Sequence, residues 1–281
     1  MVSTAESFLI GGAAACTAVT VSNPFEVAKV RLQLQGELAK GGGEKVYKNV
    51  GDVLVKTWRH EGVGGIQRGL VPAYVYQVLL NGSRLGFYEP LRRTINRAFG
   101  FTPGEQVAAT SIAAGASSGV IGAMAGNPFF LIKARMQAYS PVLPVGTQHN
   151  YKHSWDALSS VWRAERWRGL IRGMDAAIIR TAMGSSCMVM QPADTALTRM
   201  YNQPTRRLPN GKMVGVLYSN PIDCLWKTLK TEGPLGWYKG TTAHFLRIAP
   251  HTIVTLTAND LYLGWYRMAS RTVDGGVTKG S

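Results

Sequence analysis

The 281-residue chain is short of acid, short of cysteine, and without charge over long stretches. Sixteen acidic residues stand against 31 basic ones, a formal net charge of +15. A nucleic-acid binder would gather that excess into a patch with aromatic platforms. Here Lys and Arg are spread along the chain, mostly at the ends of apolar runs, as suits attraction to an anionic membrane surface, and no nucleic acid is expected as a partner. Cys16, Cys187 and Cys224 have no paired spacing and no neighbouring histidine set, so neither a disulfide framework nor a zinc site is expected. No basic stretch leading into a short apolar core and cleavage site opens the sequence, so no removable secretory signal is expected.

What is missing from Ser7 to Phe25, nineteen residues, and from Gln106 to Ile132, 27 residues, is any charge. A membrane-crossing helix needs about 20 residues. These runs are rich in Gly, Ser, Thr and Asn, which suits helices facing one another or water better than helices ringed by lipid. Glycine clusters such as GASSGVIGAMAG at 115–126 read as close helix packing, since no strand precedes them and no Lys-Ser/Thr closes them as in a phosphate loop. No cofactor is expected.

The chain repeats itself. NPFEVAKVRLQ at 23–33 returns as NPFFLIKARMQ at 127–137 and, more distantly, as QPADTALTRMY at 191–201. Pro24, Pro128 and Pro192 are each followed seven residues on by Arg31, Arg135 and Arg199. Further landmarks recur at matching offsets: Tyr47/Asp52, Tyr151/Asp156 and Tyr218/Asp223; then Glu61, Glu165 and Glu232; then Gly69, Gly173 and Gly240. Each unit reads as a small-residue span ending at its proline, a polar loop, a short amphipathic helix, and a second span opening at the glycine. Helices are the economical way to satisfy the backbone inside hydrocarbon. We read the repeats as residues 4–97, 105–186 and 187–272.

Pro-x-[Asp/Glu]-x-x-[Lys/Arg], repeated with a Glu-Gly element after a short helix, resembles the mitochondrial carrier family along nearly the whole chain. Within it, NPFFLIKARMQAYS and LTRMYNQ are most similar to an oxaloacetate-carrying branch. The resemblance implies an all-α membrane protein, a threefold pseudo-symmetric transmembrane bundle of nominally six spans, multi-pass in the mitochondrial inner membrane. It implies a monomeric transporter of small anionic metabolites, not an enzyme, with anionic lipids such as cardiolipin around it. It also implies a gate in which each repeat's acid pairs with the next repeat's base: Glu26 with Lys133, and Asp194 with Lys29. The third pair would need an acid at 130 and a base at 197, where the chain has Phe130 and Leu197. Removing both members together avoids a lone buried charge. Proline deletes a backbone donor and kinks a helix, so Pro24, Pro128 and Pro192 are expected to bring these charges together. The alternative is that they are ordinary interfacial charges at helix ends.

Counting seven residues on from the landmark glycines gives Tyr76, Arg180 and Arg247, three positions at one depth on related helices. Charge inside a membrane is expensive and functional by default. The arginine fork matches a carboxylate. Arg84 adds a cation on roughly the same face as Tyr76, or else belongs with Tyr88, Glu89 and Arg92 to an outer gate. Gln77 and Asn81 offer neutral hydrogen bonds, and His251 is read as packing. These residues favour a small anion such as a dicarboxylate, and the resemblance adds oxaloacetate, malonate and sulfate as candidates.

The spacing is irregular in one place. Pro24 to Pro128 is 104 residues, but Pro128 to Pro192 is 64. The loss falls between Gly173 and Pro192, so spans four and five are expected to be truncated and fused. The alternatives are one continuous helix, which would carry Asp194 across the membrane from Lys29, or two stubs folding back near Ser185 and Ser186. A truncated, non-transporting membrane isoform is the alternative function.

Overall fold

The helix that carries Pro24 does not stop there. A computed structural model describes residues 4–37, 45–102, 104–182, 187–208 and 213–277. The helices are α1 (Thr4–Leu34), α2 (Val50–Ile66), α3 (Leu70–Ala98), α4 (Ala108–Ala138), α5 (Ser154–Leu170), α6 (Met174–Ala182), α7 (Cys187–Asn202), α8 (Pro221–Glu232) and α9 (Thr241–Val277). Two short strands, β1 (Thr205–Arg207) and β2 (Met213–Gly215), pair antiparallel between α7 and α8. The expectation that each first span ends at its proline is corrected, since α1, α4 and α7 run on to Leu34, Ala138 and Asn202. Proline removes one helical hydrogen bond. The residues beyond it are anchored by burial instead: Arg31, Gln33, Gln137, Arg199 and Asn202 are all buried.

The repeated Tyr-x-x-x-x-Asp landmark marks the start of each amphipathic helix, and its chemistry is reciprocal capping. Asn49 Oδ1 accepts from the Asp52 amide at 2.9 Å, while Asp52 Oδ2 accepts from the Lys48 amide at 2.9 Å. Asn220 and Asp223 do the same at 2.8 and 3.0 Å, and in the second repeat His153 Nδ1 stands in for the asparagine at 3.1 Å. Each arrangement satisfies amide donors that a helix start otherwise leaves orphaned. The landmark glycines then turn the chain into the next span: Gly69, Gly173 and Gly240 have φ of 76°, 69° and 81°. A Cβ on Gly69 would lie 3.1 Å from the Lys133 carbonyl, and one on Gly240 would lie 3.1 Å from that of Lys29. Glycine is required there for its backbone and for the close approach of a neighbouring helix.

Neighbouring helices close a ring: α9 on α1, α1 on α3, α3 on α4, α4 on α6, α6 on α7 and α7 on α9. The proline-bearing helices α1, α4 and α7 also touch one another inside it. Two apolar clusters flank the proline end, one around Leu131, Ile132, Leu197 and Tyr201, the other around Ala28, Leu34, Tyr47 and Val53. Outward surfaces of α4 and α9 expose Ile112, Ile253, Leu256, Leu261 and Trp265. Among the described residues only α4 is apolar enough along its length to read as a lone membrane-crossing segment. The others carry the polar residues of an inward face, as helices lining a wet interior do.

The shortened region forms two helices, not one. At 1.5 Å per residue the nine residues of α6 reach about 14 Å and the sixteen of α7 about 24 Å, both short of a core of about 30 Å. The proposed fold-back at Ser185 and Ser186 lies outside the described residues. Because α7 returns to the proline end, Asp194 stays on the same side as Lys29.

Candidate functional site

Both inter-helix pairs expected at the proline end are present as ionic contacts. Lys29 Nζ of α1 donates to Asp194 Oδ2 of α7 at 2.5 Å, and Lys133 Nζ of α4 is paired with Glu26 Oε2 of α1. All four side chains are buried or nearly so. Such charges are tolerated only when paired and hydrogen-bonded. Glu26 has a second partner, since its other oxygen, Oε1, accepts from Arg247 Nη1 of α9. Asp194 likewise has His244 Nδ1 3.3 Å from Oδ2, and that nitrogen lies 2.9 Å from Gln191 Oε1.

The third position is aromatic. Phe130 meets the Tyr76 ring edge-on at 4.9 Å and the Tyr201 ring at 5.5 Å, while Leu197 is buried in the neighbouring cluster. Tyr76 is buried, and its ring lies where a side chain on Gly126 would need to be. Gln77 and Asn81 are half-buried on α3. Arg84 lies in α3 and Arg180 in α6, but their side chains are outside the described residues. At the far end of α3, Glu89 pairs with Arg92 at 2.8 Å and Arg93 at 3.1 Å on its own helix. His251 Nδ1 lies 3.1 Å from Ser22 Oγ, tying α9 to α1 one turn beyond Arg247.

Below the ring lies a layer that the sequence displayed without its pairing being read. Arg31 grips Glu61 through two hydrogen bonds of 2.7 and 2.9 Å, and Arg199 grips Glu232 through two of 2.6 and 2.9 Å. The second repeat is looser, with Arg135 at 3.9 Å from Glu165, whose other oxygen is held by Arg172. Burial pushes the Glu61 carboxyl up, but hydrogen bonds and charge from Arg31, with Ser140 added, outweigh it and hold the group below the usual carboxylate range. The residue before each proline also has a repeated task. Asn127 Nδ2 donates to the Leu170 carbonyl at 2.6 Å and Gln191 Nε2 to the Lys239 carbonyl at 3.0 Å, while Asn23 Nδ2 makes a longer bond of 3.3 Å to Ile66. Gln137 donates to Asn23 at 3.0 Å and Tyr201 to Asn127 at 2.5 Å, so each of these links joins two repeats. The recurring Asn/Gln-Pro pair was the available signal.

The family model described as mitochondrial carrier protein matches residues 1–99, 104–190 and 181–270. Its second and third matches both claim residues 181–190, where the spacing is short. The chain is 46% identical to the mitochondrial oxaloacetate transport protein of Schizosaccharomyces pombe, over 91% of this chain and 90% of that one. It is 45% identical to mitochondrial citrate transporter E of Aspergillus niger, over 92% of each. The mitochondrial oxaloacetate transport protein of Saccharomyces cerevisiae is 42% identical, over 89% of this chain and 86% of that one. With three matched repeats in an all-helical bundle, the chain is a transporter and not an enzyme, and it is multi-pass in the mitochondrial inner membrane. The repeated prolines, the charge ring and the matches along the whole chain agree: this protein belongs to the mitochondrial carrier family.

Proposed function

We propose that the chain carries small carboxylate anions, oxaloacetate or a related dicarboxylate, through a site built on Arg247 and Arg180 above a latch of Glu26–Lys133 and Lys29–Asp194. The feature that supports this most is the charge count of these six residues in the sequence. The latch lysines, Arg247 and Arg180 outnumber the carboxylates of Glu26 and Asp194 by two. A dicarboxylate supplies those two charges. Arg247 is the described cation of this set that retains most exposure, 24% of its side chain, so it is placed to meet a ligand. Tyr76, Gln77 and Asn81 are proposed to line the same space, with Arg84 toward the far end, and Pro24, Pro128 and Pro192 to bend the latch helices inward. The two relatives named for oxaloacetate and the one named for citrate agree with a carboxylate cargo.

Around the bundle, a cavity of about 630 Å³ between the start of α3 and the start of α5 is lined by Arg68, Lys152 and His153, together with Glu61, whose charge is paired with Arg31. We assign it to the head group of an anionic lipid such as cardiolipin, and we take the carrier to act as a monomer. The deciding experiment is uptake of labelled oxaloacetate into liposomes by the purified 281-residue chain. Saturable uptake that is lost in Arg247→Ala and in Arg180→Ala, with both variants still inserted, is expected. Absence of uptake by the unaltered chain would establish the non-transporting alternative instead.

A further inference from the structure

The seam between repeats three and one closes on a different kind of acceptor from the seam between repeats one and two. Three donors of the third repeat land on the end of α1 and the residues just beyond it. Arg199 Nε reaches the Gln33 carbonyl at 3.3 Å, Lys239 Nζ the Gln35 carbonyl at 3.0 Å, and the Tyr218 hydroxyl Glu37 Oε1 at 3.0 Å. In the sibling seam, Arg31 and Tyr47 donate to three backbone carbonyls, those of Gln137 at 3.3 Å, Tyr139 at 2.8 Å and Leu143 at 3.3 Å. A carbonyl does not titrate, and a carboxyl does. At the same distance beyond their prolines, the other repeats have Pro141 and Thr205, so the acid belongs to one seam of the three. We propose that Glu37 and Tyr218 form a proton-responsive strap across this seam, tight when Glu37 carries a proton and loosened when it is ionised, so that acid on the proline-end side holds that face shut.

The surroundings give the strap its direction. Tyr218 is buried and Glu37 half-buried. Arg199 of α7 and Lys239, ahead of α9, are the cations near Glu37, but both are already bonded to Glu232 at the end of α8. Cys224 of α8 faces the same group. An ionised Glu37 therefore meets cations shared with a second carboxylate, in a place where burial opposes its charge. Burial raises its carboxyl to about 7 against the lowering influence of Arg199 and of the Tyr218 bond, while Glu232 raises it and Lys239 lowers it. For cargo to leave at the proline end, repeats three and one must part there. Parting returns Glu37 to water and to its ordinary value, 4.5. The closed seam is then favoured fully below 4.5, and that preference is lost as pH rises through about 7. From pH 8 to pH 6 the closed-to-open ratio rises by about tenfold.

The test uses the purified full-length chain in liposomes, as wild type, Glu37→Gln and Tyr218→Phe, with equal pH on both faces. Cys224 is buried in the same cluster as Tyr218, so its alkylation by iodoacetamide, followed by peptide mass spectrometry, reports opening of the seam. Glutamine keeps the acceptor and the uncharged form at every pH. Dividing the wild-type rate by the Glu37→Gln rate at each pH cancels the thiol's own pH dependence. That ratio is expected to rise by about tenfold from pH 6 to pH 8. A flat or falling ratio overturns the strap. At pH 6, Tyr218→Phe is expected to be alkylated severalfold faster than wild type, and equal rates there overturn the strap even should Glu37→Gln fail to fold. Alkylation needs no cargo, so its outcome stands apart from the carrier reading. In a chain that takes up oxaloacetate, the wild-type to Glu37→Gln ratio of kcat is expected to rise over the same interval. A flat kcat ratio beside a rising alkylation ratio would overturn control of the transporting face by this strap.

Discussion

The second repeat and its two siblings solve the same local problems with different chemistry. In repeats one and three the glutamate at the end of the amphipathic helix is followed by glycine, Gly62 and Gly233, at φ of 65° and 76°. The second repeat places Arg166 there at φ 55°, the one non-glycine residue with positive φ among the described residues. Its neighbour Glu165 is held by Arg135 only at 3.9 Å, against 2.7 and 2.6 Å in the siblings. Its latch position is Phe130 where the siblings have Glu26 and Asp194. Its second span, α6, is nine residues long where α3 has 29 and α9 has 37. A threefold frame therefore tolerates one weakly held repeat, provided the unpaired charges are removed in step with it. Phe130 and Leu197 show how: neither leaves a buried ion without a partner.

The comparison is broken most severely by charge reversal in a sibling. Glu26→Lys would put a third cation against Lys133 and Arg247, and transport is expected to fall to background. Breaking a buried pair this way costs about 3–5 kcal/mol. Adding Lys133→Glu is expected to restore part of the uptake. A double variant as inactive as the single would show that the pair does not work as a unit.

A smaller effect is expected where the second repeat supplies its aromatic contact. Phe130→Ala removes the edge-on contact to Tyr76 and the tilted contact to Tyr201. About 2 kcal/mol of stability is expected to go with it, since the side chain is only partly buried and a fully buried Phe→Ala costs more. Thermal unfolding in detergent reads this out, and a loss as large as that of Glu26→Lys would mean that the aromatic arm is no weaker than an ionic one.

The same comparison can be sharpened by making the second repeat resemble its siblings. Arg166→Gly relieves a left-handed backbone in a residue with a side chain and is expected to stabilise by about 1 kcal/mol. A lower unfolding midpoint than wild type would show that Arg166 makes contacts worth more than the strain.

A further expected effect is a pH dependence outside the membrane. Burial pushes the Glu37 carboxyl up to about 7, against the lowering influence of Arg199, and its Oε1 accepts from the Tyr218 hydroxyl at 3.0 Å. Glu232 raises it further and Lys239 lowers it. A group whose folded value is raised stabilises fully below its unfolded value, 4.5 here, and that contribution is lost as pH rises through about 7. His149 runs the other way, held down to about 4 chiefly by burial, so its contribution is present above 6.5 and lost as pH falls toward 4. Glu37→Gln is expected to flatten the decline in unfolding midpoint between pH 4.5 and 7, and an unchanged slope would assign that decline to other groups.

The repeats, the helical class and the irregular spacing were all legible in the sequence, because identical offsets recur whatever the tertiary packing does. Offsets also held information that went unread. Arg31 and Glu61, Arg135 and Glu165, Arg199 and Glu232 recur in register, yet their pairing depends on the helix continuing past its proline, and proline by itself argues for stopping. Two contacts had no sequence signal. Tyr76 lies at the same offset from its glycine as Arg180 and Arg247, but its ring turns toward Gly126 and Phe130. His244 meets Asp194 because α7 and α9 are neighbours, which no spacing announces.

The sequence by itself determined which groups exist to be paired, and through glycine, proline and the capping residues it determined where each helix starts and turns. These are local effects, set by backbone dihedrals and by hydrogen bonds across a few residues. Only the tertiary structure decided which partner each charge takes. Burial makes an unpaired ion costly, so a carboxylate settles on whichever cations the packed helices bring within reach. Glu26 acquired two of them, Lys133 on α4 and Arg247 on α9.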